Sequence, residues 1–113
     1  MTDFPPIIVG GGDLSEFLAS NKSAVDAALA DAGALLFRGF DLPDSMAFDA
    51  AINGYGEAGF TYEDSLSNAV RTNVTPRVFT ANEAPPTTEI FLHHEMAQTP
   101  LYPGKLFFYC EIA

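Results

Sequence analysis

Both histidines of the chain are adjacent, in Leu92-His93-His94-Glu95-Met96. A histidine and a glutamate two positions apart can grip one divalent ion if the backbone is extended, because residues i and i+2 then point to the same side. On that reading His93 and Glu95 are candidate metal ligands, and His94 faces the other way. One imidazole and one carboxylate, joined by a distant histidine, occupy one face of an octahedron suited to iron(II). Three positions stay open for a chelating cosubstrate and dioxygen. A polar strand end, with His93 hydrogen-bonded and Glu95 solvated, is the simpler account of the triplet taken alone. The two accounts part over burial: a carboxylate turned inward without a partner costs several kcal/mol, so an inward Glu95 requires a cation beside it.

The elements that must position these residues fall into two stretches. Phe4 to Val9 reads as an extended strand ended by Gly10-Gly11-Gly12. Asp13, three residues before Glu16, has the spacing of a helix-starting cap. Leu14, Phe17 and Leu18 then give a short helix one apolar face. Asn21 is a second candidate N-cap, and Val25, Leu29 and the alanines carry a helix to Gly33, where a C-cap glycine belongs. Ala34-Leu35-Leu36-Phe37 predicts a buried strand, turned by Arg38-Gly39-Phe40. A third helix begins around Pro43 to Ser45, with Met46, Phe48, Ala51 and Ile52 inward, and ends near Gly54 or Gly56. From Phe60 the pattern changes to Thr, Val and Phe with prolines between. Arg77 to Thr80, Thr88 to His93 and Lys105 to Ile112 predict strands, the first two linked by a turn through Asn82 to Pro86. The expected fold class is α+β in a single domain over 1–113, mixed and helical over 1–59 and starting a β-core over 60–113.

Composition narrows the function classes. At 113 residues, 48% hydrophobic and 18% charged, the chain is globular and long enough for one modest domain. Fifteen acidic residues against five basic ones give a net charge of −10, which repels phosphate backbones and anionic lipid and argues against nucleic-acid binding. The single cysteine, Cys110, lies in the apolar run Leu106 to Cys110, so a buried, inert thiol is expected. There is no basic segment followed by an apolar core at the N-terminus and no stretch long enough to span a bilayer, so a cytoplasmic protein is expected.

Three segments carry a family resemblance. Glu89 to Ala97, then Pro100-Leu101-Tyr102-Pro103, then Leu106 to Glu111 resemble the taurine dioxygenase (TauD/TfdA-like) family of iron(II)- and 2-oxoglutarate-dependent oxygenases. The glutamate at position 95, where aspartate is usual, is similar to the clavaminate-synthase-like branch. Gly33 to Phe40 resembles that family's N-terminal strand and turn, and Arg71 to Thr80 the segment leading to its metal motif. The resemblance implies a double-stranded β-helix, a relative of the jelly roll, of which this chain would hold the N-terminal part. It implies His93 and Glu95 as the first two iron ligands, with Fe(II) and 2-oxoglutarate as cofactor and cosubstrate. One oxygen atom of O2 goes to 2-oxoglutarate, releasing succinate and CO2, and a small-molecule substrate is oxidised. Halogenating relatives replace the carboxylate ligand by a small residue, so Glu95 points to hydroxylation or a related oxidation.

The same resemblance puts the distal histidine and the 2-oxoglutarate-pairing arginine beyond position 113, and the chain has no third histidine. The expectation is therefore an N-terminal fragment of such an enzyme, inactive alone. The alternative is a catalytically inactive remnant or an acidic, non-catalytic interaction module. Arg71 or Arg77 could hold an anion, although an arginine paired with an acid is the plainer account. Thr80 and Asn82 could line a pocket, but ordinary turn residues explain them as well.

Overall fold

A computed structural model of the chain describes residues 3–56, 71–81, 83–97 and 99–113. Two compact units emerge: Met1–Glu57 with Glu111–Ala113, and Ala58–Cys110. The onset of the β-like pattern at Phe60, and Asn82 within the expected turn, lie outside the described residues.

In the first unit, β1 (Ile7–Val9) pairs in parallel with β2 (Leu36–Arg38), Ile7 opposite Leu36 and Val9 opposite Arg38. Parallel neighbours need a long crossover, supplied here by two helices, α1 (Leu14–Ser20) and α2 (Lys22–Ala32). Asp13 caps α1 as its spacing predicts, its Oδ1 accepting from the backbone N–H groups of Ser15 and Glu16. Gly33 ends α2 in the left-handed region at φ 85°, its N–H donating to the Leu29 carbonyl. The third helix, α3 (Ser45–Tyr55), starts at Asp44, whose Oδ1 accepts from Ala47 N–H at 2.9 Å, and ends at Gly56.

The apolar spacing of these helices makes the core: Leu14 and Leu18 of α1, Val25 of α2, and Ala51 and Tyr55 of α3 are buried together. Phe17, Phe37 and Phe40 pack against them as a trio with centroids 5.1 to 6.4 Å apart. Each such ring pair contributes about 0.5–1.5 kcal/mol beyond its buried area. Helices α1 and α3 approach closely where Gly54 faces Ser15, whose Oγ donates to the Ala50 carbonyl at 3.2 Å.

Three local expectations change here. Asn21 stands at the N-terminus of α2, but its side chain makes no cap bond there; Nδ2 donates instead to the Phe17 carbonyl and closes α1. Only one residue separates the two helices, and an amide reaching backward satisfies an orphan carbonyl as readily as an orphan N–H. Met46 is 68% exposed, and Tyr55, absent from the expected inner face, takes the buried place at the far end of α3. The strand after Gly33 starts at Leu36 and is half-buried, because Ile7 and Val9 of its partner leave one side of the pair exposed.

The second unit departs further from expectation. Among its described residues the only strand pairing is an antiparallel bridge between Asn73 and Phe79. It is closed by Val74 N–H to the Val78 carbonyl at 2.7 Å and Thr80 N–H to the Thr72 carbonyl at 2.9 Å. Thr75, itself buried, accepts at Oγ1 from the N–H groups of Arg77 and Val78. Neither Thr88 to His93 nor Lys105 to Ile112 is a strand. Strand propensity records fit to a pleated, half-covered surface, and a strand requires a second row of backbone groups that propensity does not supply. Accordingly Phe91, Leu92 and Phe108 are exposed, and so is Cys110, which was expected to be buried. Among the described residues no helix is long and apolar enough to cross a membrane.

Candidate metal centre

Residues 95–97 form a turn, so His93 and Glu95 do not occupy alternate positions of a strand. Met96 sets this geometry with φ 57°. A left-handed conformation costs an L-residue roughly 1–2 kcal/mol. Burial of the methionine, which is 4% exposed, offsets that cost. So do two hydrogen bonds to its carbonyl, from Thr99 N–H at 3.1 Å and Thr99 Oγ1 at 3.2 Å.

The turn directs Glu95 inward. Its side chain is 19% exposed, and the cation that such a position requires is Arg71, whose Nη2 lies 3.5 Å from Oε1. Arg71 Nη1 lies 3.5 Å from the Thr80 carbonyl, so the guanidinium spans the bridged turn and the carboxylate. The turn is itself tied across its base, Thr72 N–H donating to Thr80 Oγ1 at 2.9 Å. Thr80 therefore serves as a turn residue, and Arg71 as an arginine paired with an acid. That acid is the candidate ligand itself.

His93 is exposed, and its Nδ1 lies 2.6 Å from the Phe91 carbonyl. A carbonyl oxygen only accepts, so Nδ1 carries the proton and, in the neutral ring, the lone pair is on Nε2. Metal-binding imidazoles are commonly held in this way, with the far nitrogen tied to a carbonyl or carboxylate. His94 has different partners: the Glu95 carbonyl, 3.2 Å from Nδ1, and the ring of Tyr102, edge-on at 6.0 Å.

An imidazole with Nε2 as donor and a carboxylate paired with a guanidinium fit two places of an iron(II) site in chemical type. Among the described residues no group of three or more His, Cys, Asp or Glu is gathered to complete one. Sequence spacing did not reveal the link between Arg71 and Glu95, which are 24 positions apart. It gave no sign of the left-handed Met96 either, since methionine is not a residue that favours that region.

The chain matches the family described as taurine catabolism dioxygenase TauD, TfdA family, over residues 2–113. It is 43% identical over 98 residues to a clavaminate synthase-like protein of Arabidopsis thaliana, covering 87% of this chain and 29% of that protein. It is 29% identical over 118 residues to the dapdiamide synthesis protein DdaC of Enterobacter agglomerans, covering 96% of this chain and 35% of that protein. The chain thus spans about a third of the length of these relatives.

Proposed function

The chain belongs to the TauD/TfdA dioxygenase family, and on that premise we propose that it supplies His93 and Glu95 as two iron(II) ligands of a 2-oxoglutarate-dependent oxygenase acting on a small molecule. The observation that carries this reading is the state of the two side chains. His93 is tied at Nδ1 to Phe91, which makes Nε2 the donor atom, and Glu95 is turned inward and paired with Arg71. The family resemblance places the third ligand, a histidine, and the arginine that pairs with 2-oxoglutarate beyond position 113, and these 113 residues hold no histidine besides His93 and His94.

When bound, the iron supplies activation of dioxygen coupled to decarboxylation of 2-oxoglutarate to succinate, with oxidation of the substrate. The residues of this chain act before that chemistry. The Phe91 carbonyl fixes the tautomer and tilt of the imidazole, and the Met96 turn brings the carboxylate in from solvent. A carboxylate at position 95, in place of a small residue, favours hydroxylation or a related oxidation over halogenation.

A second reading has its own support. The Arg71–Glu95 pair satisfies the carboxylate without any metal, as it would in a non-catalytic module of the same fold. Anaerobic iron(II) titration of a chain extended to the length of its relatives separates the two. His93→Ala and Glu95→Ala should each abolish stoichiometric binding, and His94→Ala should leave it nearly unchanged. No loss in any variant would favour the non-catalytic reading, and an equal loss in all three would count against the separation of His94 from the ligand pair.

A further inference from the structure

The pairing of Arg71 with Glu95 deepens the ligand reading and rests on it. We propose that Arg71 is a positioning residue for the metal, presetting the Glu95 carboxylate in a ligating orientation. Three observations converge. The guanidinium is itself anchored, through Nη1 at the Thr80 carbonyl, on a turn tied by the Asn73–Phe79 bridge. Its Nη2 reaches Oε1 of Glu95, with both side chains more than four-fifths buried, at 18% and 19% exposure. The carboxylate is carried on a turn whose left-handed Met96 is sustained by burial, so backbone and side chain are each set from a different direction.

The alternative role for Arg71 is that of a competitor, a built-in cation that occupies the carboxylate and keeps metal away. The two roles predict opposite signs. By Coulomb's law alone, removing a positive charge beside a cation site strengthens metal binding. Removing a group that orients a ligand weakens it, by roughly 10- to 100-fold where such partners have been deleted from metal sites. A loss of affinity in a folded Arg71→Met is therefore opposite in sign to the direct charge effect and is the result that lost orientation predicts.

The test is Mn(II) titration of the 113-residue chain, followed by paramagnetic broadening of the backbone amide signals of Leu92 to Met96, which registers weak binding by an incomplete ligand set. The wild-type chain should show broadening centred on these residues, and His93→Ala should lose it. Arg71→Met should weaken the effect by roughly 10-fold or more while the rest of the amide spectrum stays dispersed. Arg71→Lys, which keeps the charge but not the planar fork, should recover part of the loss. If Arg71→Met loses its dispersed spectrum, the comparison of Arg71→Lys with wild type decides. Unchanged or tighter binding in the arginine variants, with His93→Ala still deficient, overturns the positioning role and leaves the ligand reading intact. No local broadening in the wild-type chain overturns the presetting of a ligand by Arg71 within these residues, while the ligand reading stands or falls separately on the iron(II) titration of the extended chain.

Discussion

The Tyr55 hydroxyl donates to the Asp26 carboxylate, and the ammonium of Lys22 lies 4.0 Å from the centroid of the same tyrosine ring. Tyr55 is 2% exposed, so one residue near the end of α3 both fills the core and pins α2 through its polar tip. Tyr55→Phe removes the hydrogen bond but keeps the ring, and should lower stability by about 1–2 kcal/mol. Tyr55→Ala empties the site and should cost about 3–5 kcal/mol. Urea unfolding followed by circular dichroism measures both. Equal midpoints for Tyr55→Phe and wild type would show that the bond to Asp26 contributes nothing.

The ion pair beside it should matter far less. Lys22 and Asp26 are 3.8 Å apart with side chains 41% and 40% exposed, and solvent screens such a pair. Lys22→Met should therefore change stability by less than about 1 kcal/mol, as urea unfolding of the variant beside wild type would show.

Gly39 and Gly10 are pressed together. A β-carbon on Gly39, which has φ 86°, would collide with the Gly10 carbonyl oxygen, and one on Gly10 would collide with the Phe40 ring. Gly39→Ala combines a left-handed conformation with a backbone clash and should cost more than the roughly 1–2 kcal/mol of the conformation alone. Gly10→Ala can be relieved by moving Phe40 away from Phe17 and should cost about 1–3 kcal/mol. Thermal unfolding that ranked the two in the reverse order would contradict this.

The helix caps give a cleaner comparison. Asp13→Ala and Asp44→Ala each remove a side-chain acceptor from helix N–H groups and should each cost about 1 kcal/mol. Amide hydrogen exchange should show the added opening in the first turn of α1 for one variant and of α3 for the other. Uniform loss of protection across both helices would point to a global effect in place of a capping one.

Exposed apolar side chains in the second unit predict a solubility effect without a stability effect. Leu92 is 105% exposed, relative to its reference, and Phe108 83%. Leu92→Ser and Phe108→Ser should move stability by no more than about 0.5 kcal/mol, as for ordinary surface changes. Both should reduce binding of a hydrophobic dye. A large loss of stability in either would mean that these side chains are covered in solution.

How much of this was legible in the sequence depended on how local the responsible interaction is. Asp13, Gly33 and Gly56 act on backbone groups within a few residues, and the helices they bound lie close to where spacing places them. The apolar positions Leu14, Leu18, Val25 and Ala51 follow from the helical repeat alone. The candidate ligands were named from a three-residue motif and a family resemblance, and the chain's family membership agrees with that resemblance. What needed the folded chain is what joins distant positions. The strands expected near the motif depend on partner rows that strand propensity does not encode. The turn at Met96 depends on burial of its side chain, which makes a left-handed backbone tolerable. The meeting of Arg71 with Glu95 depends on two turns closing toward each other across 24 positions. Periodicity and capping are near-neighbour effects readable along the chain, whereas burial and charge pairing are set by which segments come to lie side by side.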